Sequence, residues 1–278
     1  MIELGKMNTL EVVREEDHGI YLEAGIDGEI LVPVREVAEG TRIGDMLEVF
    51  IYRDSEDRLI ATTKTPMAMV GDYAVLEVMQ VTPHGAFLDW GLMKDLMLPF
   101  GEQKRKVSQG MHVVVRVYVD EETRRIAATA RLGRYLGKTD RKYLENEEVN
   151  VMIVDRTDLG YRVVVEKEDW GLLYHNQIFQ ALHVGQGLKA YVFSTRTDGK
   201  LDLILEKPGP EKAMTLSKQI LDRLQQSDGY IDVGDKSDPS QILAMFNVSK
   251  KTYKRALSQL YKEKKIVFEG EGIRLVVK

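Results

Sequence analysis

The chain repeats itself, and that constrains its fold more than any other feature. His18-Gly19-Ile20-Tyr21-Leu22 returns as His84-Gly85-Ala86-Phe87-Leu88, an offset of 66 residues. The same offset carries Pro33 to Pro99, Gly44 to Gly110, Asp54 to Asp120, Arg58 to Arg124, Ile60 to Ile126 and Ala61 to Ala127. A further offset of 75 carries Gly85 to Gly160, Gly110 to Gly185, Val117 to Val192 and Arg125 to Lys200, a third and weaker copy. Self-similarity at a fixed period means one small unit folding several times, so the architecture is read copy by copy.

Each copy reads as short strands. In the second, 73–78 begins a run, Thr82-Pro83-His84-Gly85 turns it and 86–90 returns. Segments 96–99, 113–118 and 126–129 follow, the last two parted by the turn Asp120-Glu121-Glu122-Thr123-Arg124. β-branched enrichment with turn residues at the joints is the strand signal. Five short strands in a repeat of 66 residues is what a Greek-key barrel of the OB type requires. The expectation is three such barrels, at residues 1–64, 65–137 and 138–208.

From 209 to 278 the period changes. Met214, Leu216, Ile220, Leu221 and Leu224 recur at helical spacing and stop before Asp228-Gly229. Asp238-Pro239 supplies an N-cap and a first helical residue. Ile242, Leu243 and Phe246 give that helix an apolar face, which Asn247 can end. Ser249 caps a third helix whose buried stripe is Tyr253, Ala256, Leu257 and Leu260. Ile266-Val267-Phe268 and 273–277 then close a hairpin around 269–272. Three helices and a hairpin describe a winged helix-turn-helix. The expected fold class is therefore mainly β: three tandem OB-type barrels followed by an α+β winged-helix domain.

Composition narrows the chemistry. The 278 residues include no Cys, which excludes disulfides, thiolate zinc sites, iron–sulfur clusters and Cys nucleophiles. The five His (18, 84, 112, 175, 183) are scattered without ligand spacing, and no Walker A or GxGxxG motif is present. No metal, cofactor or catalytic residue is expected, and the chain is read as a non-enzyme. No apolar run approaches membrane-spanning length and the N-terminus lacks signal-peptide character, so the expected address is the cytoplasm. Net charge is −5, but unevenly spread: −8 over 1–66, +2 over 67–138, −3 over 139–210 and +4 over 211–278. A polyanion would meet the second and fourth blocks.

Bases stack on exposed aromatic faces beside a basic groove. In the second copy His84 and Phe87 are the candidates, with Trp90 nearby and Arg116 or Arg124 for charge. Phe87 either presents such a face or fills the barrel, as strand aromatics more often do. In 249–265 seven Lys and Arg stand against Glu263 alone, and Lys251, Arg255, Ser258 and Lys262 lie opposite the apolar stripe. That face, with Lys254, either neutralises phosphates or is simply solvated. Wing residues Glu269 and Glu271 oppose duplex contact. The basic linker 131–138 either extends an electrostatic track or only connects.

Residues 71–131 resemble an S1 RNA-binding domain, on Gly71-Asp72, Val81-Thr82-Pro83-His84-Gly85-Ala86-Phe87-Leu88, Gly110, 113–117 and Asp120 ahead of Arg124-Arg125-Ile126. The resemblance implies binding positions His84, Phe87, Met97, Asp120 and Arg124, with Arg125 as an alternative. In the first copy they become His18, Tyr21, Leu31, Asp54 and Arg58. In the third they become Leu159, Arg162, Tyr174 and Lys200, with Arg196 where the Asp would be and His175 beside Tyr174. The four-part order, with Leu98-Pro99-Phe100-Gly101-Glu102-Gln103 and Asp238-Pro239, is similar to the conserved virulence factor B family of Firmicute bacteria. That likeness implies a cytoplasmic, single-stranded RNA-binding post-transcriptional regulator. A second reading is a DNA-binding transcriptional regulator acting on duplex DNA through the winged helix. A third is a scaffold that meets the ribosome through the acidic first barrel.

Overall fold

The structure, a computed structural model, describes residues 2–178, 180–206, 210–246, 248 and 250–276. The side chains of Met214 and Leu243, and the whole of Asn247, Ser249 and Val277, lie outside the described residues. The chain divides into two compact units, residues 1–139 and 140–278.

The first unit holds two barrels. The first is β1 (Met7–Glu16), β2 (Gly19–Glu23), β3 (Glu29–Pro33), β4 (Met46–Arg53) and β5 (Leu59–Thr62). They close in the order β1-β2-β3-β5-β4, with β3 and β5 parallel. The second is β6 (Tyr73–Thr82), β7 (Gly85–Leu88), β8 (Leu96–Pro99), β9 (His112–Val119) and β10 (Ile126–Thr129), ordered β10-β9-β6-β7-β8. Here β8 and β10 lie side by side without a ladder between them, so the barrel is nearly closed.

Alternation explains most of each core. In β7 Ala86 and Leu88 point inward and are fully buried while Phe87 between them is half-buried. β4 departs from alternation. Val49 and Ile51 fill the first barrel, while Phe50 and Tyr52 on its other face join the second barrel's core with Trp90, Leu92 and Ala68. The Phe50 ring meets Trp90 edge-on at 5.6 Å. A strand buried on both faces reads as a continuous apolar run for this reason.

Residue 131 onward is no free connector. Leu132 and Leu136 are buried, Arg131 Nε donates to the Gly101 carbonyl at 2.6 Å, and Arg134 pairs with Glu102. The segment is a strap on the second barrel, so the reading of it as only a connector is corrected.

The second unit opens with β11 (Glu148–Arg156), β12 (Gly160–Val165), β13 (Asp169–Tyr174), β14 (Gly187–Thr195) and β15 (Leu201–Ile204), a closed barrel in the same order as the first. The glycine after the first turn recurs for one steric reason. A Cβ on Gly19, Gly85 or Gly160 would sit 2.1, 2.5 or 2.0 Å from the carbonyl oxygen of Val32, Leu98 or Leu173 on the neighbouring antiparallel strand.

The winged helix comprises α1 (Pro210–Gln226), β16 (Tyr230–Ile231), α2 (Pro239–Phe246), α3 (Lys250–Lys262), β17 (Ile266–Glu269) and β18 (Gly272–Leu275). Leu216, Ile220, Leu224, Ile242, Tyr253, Ala256, Leu257 and Leu260 form its core. β16 pairs with β18 and widens the hairpin to three strands. Two residues carry no periodicity, so the sequence does not signal this strand.

Candidate nucleic-acid interface

Each barrel's first strand carries a bulge at the same place: between Val12 and Arg14, Val78 and Gln80, Ile153 and Asp155. A bulge re-aims the residue after it. Arg14, Gln80 and Asp155 are thereby brought opposite Tyr21, Phe87 and Arg162 of the second strand. The next strand adds Leu31, Met97 and Leu172 to the row. This outer row is where the resemblance places stacking residues, and the three copies fill it differently.

In the first barrel the row is covered. The Arg14 guanidinium lies 3.7 Å over the Tyr21 ring and is tied to Glu29 at 2.7 Å and to Glu16. His18 Nε2 hydrogen-bonds the Tyr21 hydroxyl at 2.6 Å. Asp54 accepts from the Arg58 backbone and guanidinium at 3.0 and 2.9 Å. Every polar group in the row has a partner already.

The second barrel's row is uncharged: Gln80, half-buried Phe87 and half-buried Met97. Among the described residues no cation stacks over the ring. His84 is exposed in the preceding turn. Gly85 pairs with Pro99 at the end of this ladder, and Phe100, directly after Pro99, is 47% exposed. Phe100 and Gln80 are the two members the sequence reasoning passed over. The signal for Phe100 was its place directly after the third strand, next to Pro99.

The final turn corrects one assignment. Asp54 N–H donates to the Arg58 carbonyl, and Asp120 N–H to the Arg125 carbonyl at 2.8 Å, so Arg125 and not Arg124 is the counterpart of Arg58. The second turn is one residue longer, with Arg124 at φ 56°. Arg125 is paired with Asp57 of the first barrel (Nε–Oδ1 2.8 Å), whereas Arg124 is exposed and has no ion pair among the described residues. Asp120 accepts from the Thr123 backbone and hydroxyl, both at 2.8 Å. The backbone bond first, then the hydroxyl, hold its carboxyl below the usual range. Its work is closing its own turn. Arg116 is outside the row: its guanidinium stacks 4.1 Å from the Tyr135 ring centroid of the strap.

The third barrel answers its own charges. Arg162 is paired with Asp155 (Nε–Oδ1 3.0 Å) and lies 4.7 Å over Trp170. Tyr174 is corrected: it pairs with Gly160, two residues beyond the row, and Leu172 takes the position of Met97. Its hydroxyl donates to Asp202 at 3.2 Å and accepts from Arg196 at 2.6 Å, while Arg196 Nε donates to Asp202 at 2.7 Å. Lys200 is exposed and paired with Asp198. His175 Nε2 bonds the Thr157 carbonyl at 2.8 Å.

On α3, Lys251, Lys254, Arg255 and Lys262 are exposed and carry no ion pair among the described residues. The buried stripe of Tyr253, Ala256, Leu257 and Leu260 turns them outward. Arg274 of the wing is instead bonded to Glu269 at 2.9 Å.

Comparison with known proteins agrees with this layout. The S1 domain family matches residues 4–64 and 70–130, and the family described as CvfB-like winged helix domain matches 218–275. The chain is 27% identical over 274 residues to the uncharacterized protein YitL of Bacillus subtilis, covering 96% of this chain and 91% of that one. It is 25% identical over 286 residues to conserved virulence factor B of Staphylococcus saprophyticus, covering 99% and 95%. A crystal structure of a multidomain protein with nucleic acid binding domains from Streptococcus pneumoniae aligns over 98% of both chains, with 24% identity and a TM-score of 0.41.

Proposed function

We propose that the chain, which carries S1 domains ahead of a CvfB-like winged helix and is 25% identical to a conserved virulence factor B over 99% of its length, binds single-stranded RNA and acts as a post-transcriptional regulator. S1 domains and winged helices bind nucleic acids, so the question that remains is which nucleic acid and where. The observation that carries the RNA reading is the Phe87 face in the row Gln80–Phe87–Met97, which no cation covers among the described residues, with His84, Phe100 and Arg124 exposed in turns of the same barrel.

An unpaired base laid on an aromatic ring contributes about 1–3 kcal/mol and needs no particular sequence. Backbone phosphates then meet Arg124, and in the winged helix Lys251, Lys254, Arg255 and Lys262 add sequence-independent attraction. The role requires binding and release, with no bond made or broken. No helix among the described residues is long and apolar enough to cross a membrane. The proposed place of action is the cytoplasm.

The test is filter binding of the full chain to single-stranded RNA and to duplex DNA at about 0.15 M salt, where surface charge is screened beyond about 8 Å. RNA is expected to win, and His84→Ala/Phe87→Ala to weaken it at least about fivefold, the lower bound for one lost stacked base. Equal RNA affinity in the variant removes the platform, and a duplex that wins favours a DNA-binding regulator acting through α3.

A further inference from the structure

Two aromatic rings of the winged helix lie outside its core. Tyr261, in the last turn of α3, is 53% exposed, and Phe268, in β17, is 43% exposed. Their ring centroids stand 5.4 Å apart at an interplanar angle of 41°. The domain's core packs around Tyr253, Leu257, Leu260 and Ile266 and includes neither ring. The two rings therefore form one exposed aromatic pair at the base of the wing.

The patch is ringed by cations. Lys254 lies two turns, about 10 Å, back along the same flank of α3. Lys262 follows Tyr261 directly, and Lys264 sits in the tight turn between α3 and β17 at φ 56°. None of these three has an ion pair among the described residues, and only Lys265 is taken, by Glu263 at 2.7 Å. A pair of touching exposed rings set among lysines without ion pairs is complementary to a ligand that is flat, apolar in its faces and anionic at its margins.

We propose that Tyr261 and Phe268 form a nucleobase-stacking site, taking an unpaired base of a single strand whose adjoining phosphates meet Lys254 and Lys264. A duplex cannot use it, because its base faces are hidden in the stack and only edges and phosphates are presented. The wing adds to this bias: its tip holds Glu271 and Glu269, and Glu269 holds Arg274. The winged helix is thus a second single-strand contact, distinct from the row on the second barrel. This inference rests on the reading that the chain binds single-stranded RNA.

The experiment measures fluorescence anisotropy of the full chain with a single-stranded RNA of mixed sequence and with a duplex DNA. Tyr261→Ala/Phe268→Ala is expected to weaken the single strand at least about fivefold, leaving the salt slope and the duplex affinity unchanged. Tyr261→Phe/Phe268→Tyr keeps both rings and is expected to bind as the wild type does. Because both side chains are exposed, thermal unfolding serves as the control that the domain is intact. Wild-type affinity in the alanine pair overturns the site and leaves the patch to a protein partner. An equal loss for single strand and duplex also overturns it. Binding that responds to Phe87→Ala but not to the pair sinks this inference alone, while a chain that binds no single-stranded RNA sinks both readings.

Discussion

Gln80 and Phe87 are register partners across β6 and β7, and that pairing sets the second barrel apart from its two neighbours in sequence. The first barrel holds Arg14 over Tyr21 at the same register, and the third holds Asp155 against Arg162. A guanidinium over a ring occupies the face that a base would use. Gln80→Arg is therefore expected to weaken single-stranded RNA binding about fivefold or more, although it adds a positive charge. Binding that tightens with the added charge would show that electrostatics alone governs the second barrel. Anisotropy titrations at fixed salt decide between them.

The third barrel makes the complementary case. Arg162 faces outward, but Asp155 cancels it. Asp155→Asn removes the countercharge and keeps a hydrogen-bond acceptor beside Arg162. Affinity for single-stranded RNA is expected to rise, and its dependence on salt to steepen by about 0.7 in the log–log slope for one new phosphate contact. An unchanged slope would mean that the third barrel stays away from the strand.

How far the sequence foretells this site depends on what each residue's position requires. The repeat of His-Gly locates the strand, because a neighbouring carbonyl demands the glycine, but it leaves Phe87 either outside or inside the barrel; the burial of Ala86 and Leu88 on either side decides for the outer face. The exchange of Arg124 for Arg125 arises because Ile60 and Ile126 match at an ungapped offset while Tyr52 pairs with Ile60 and Val119 with Ile126. One added turn residue shifts the ladder there, and residue identity conceals it. The S1 likeness assigns Tyr174 to the row of the third copy, but strand register gives the place to Leu172. Which carboxylate opposes which arginine depends on the bulges, and a bulge leaves no compositional trace. The exposure of Phe100, Tyr261 and Phe268 is likewise a tertiary property.

The basic face of α3 has its own signature. Lys251→Ala/Arg255→Ala removes two charges from an exposed helix face that lacks ion pairs. If both meet phosphates, the log–log salt slope for single-stranded RNA falls by about 1.4, equally for every sequence tested. A solvated face predicts no change in slope. Titrations at several salt concentrations separate the two.

Asp169 of β13 is buried and accepts a 2.9 Å hydrogen bond from the Tyr143 hydroxyl. Burial holds its carboxyl above the ordinary range despite that bond, which acts in the opposite sense. The fold thus favours the protonated form. That advantage is complete below the unfolded value of about 3.9 and is lost as pH rises through the folded one. At neutral pH the third barrel carries a buried carboxylate, so Asp169→Asn, which still accepts from Tyr143, is expected to raise the unfolding midpoint. The gain should vanish in acid; a midpoint lowered at neutral pH would mean that the charge itself is stabilising.

Phe50 decides whether the first two barrels behave as one body. It is fully buried although it points away from its own barrel, and it meets Trp90 edge-on at 5.6 Å. Tyr52 joins it in the shared apolar core, and polar ties add to both: Lys94 Nζ donates to the carbonyls of Arg53 and Asp54 at 3.1 and 2.6 Å, and Arg125 pairs with Asp57. An exposed ion pair contributes well under about 1 kcal/mol in most cases. Truncating a buried aromatic costs about 3–5 kcal/mol. Phe50→Ala is accordingly expected to lower the unfolding midpoint of both barrels together, whereas Asp57→Asn, which removes the charge and tolerates the φ of 63° there, should leave calorimetric traces nearly unchanged. If Phe50→Ala destabilises only the first barrel and splits the transition in two, the shared core does not couple them, and the second barrel holds its RNA-binding row unaided.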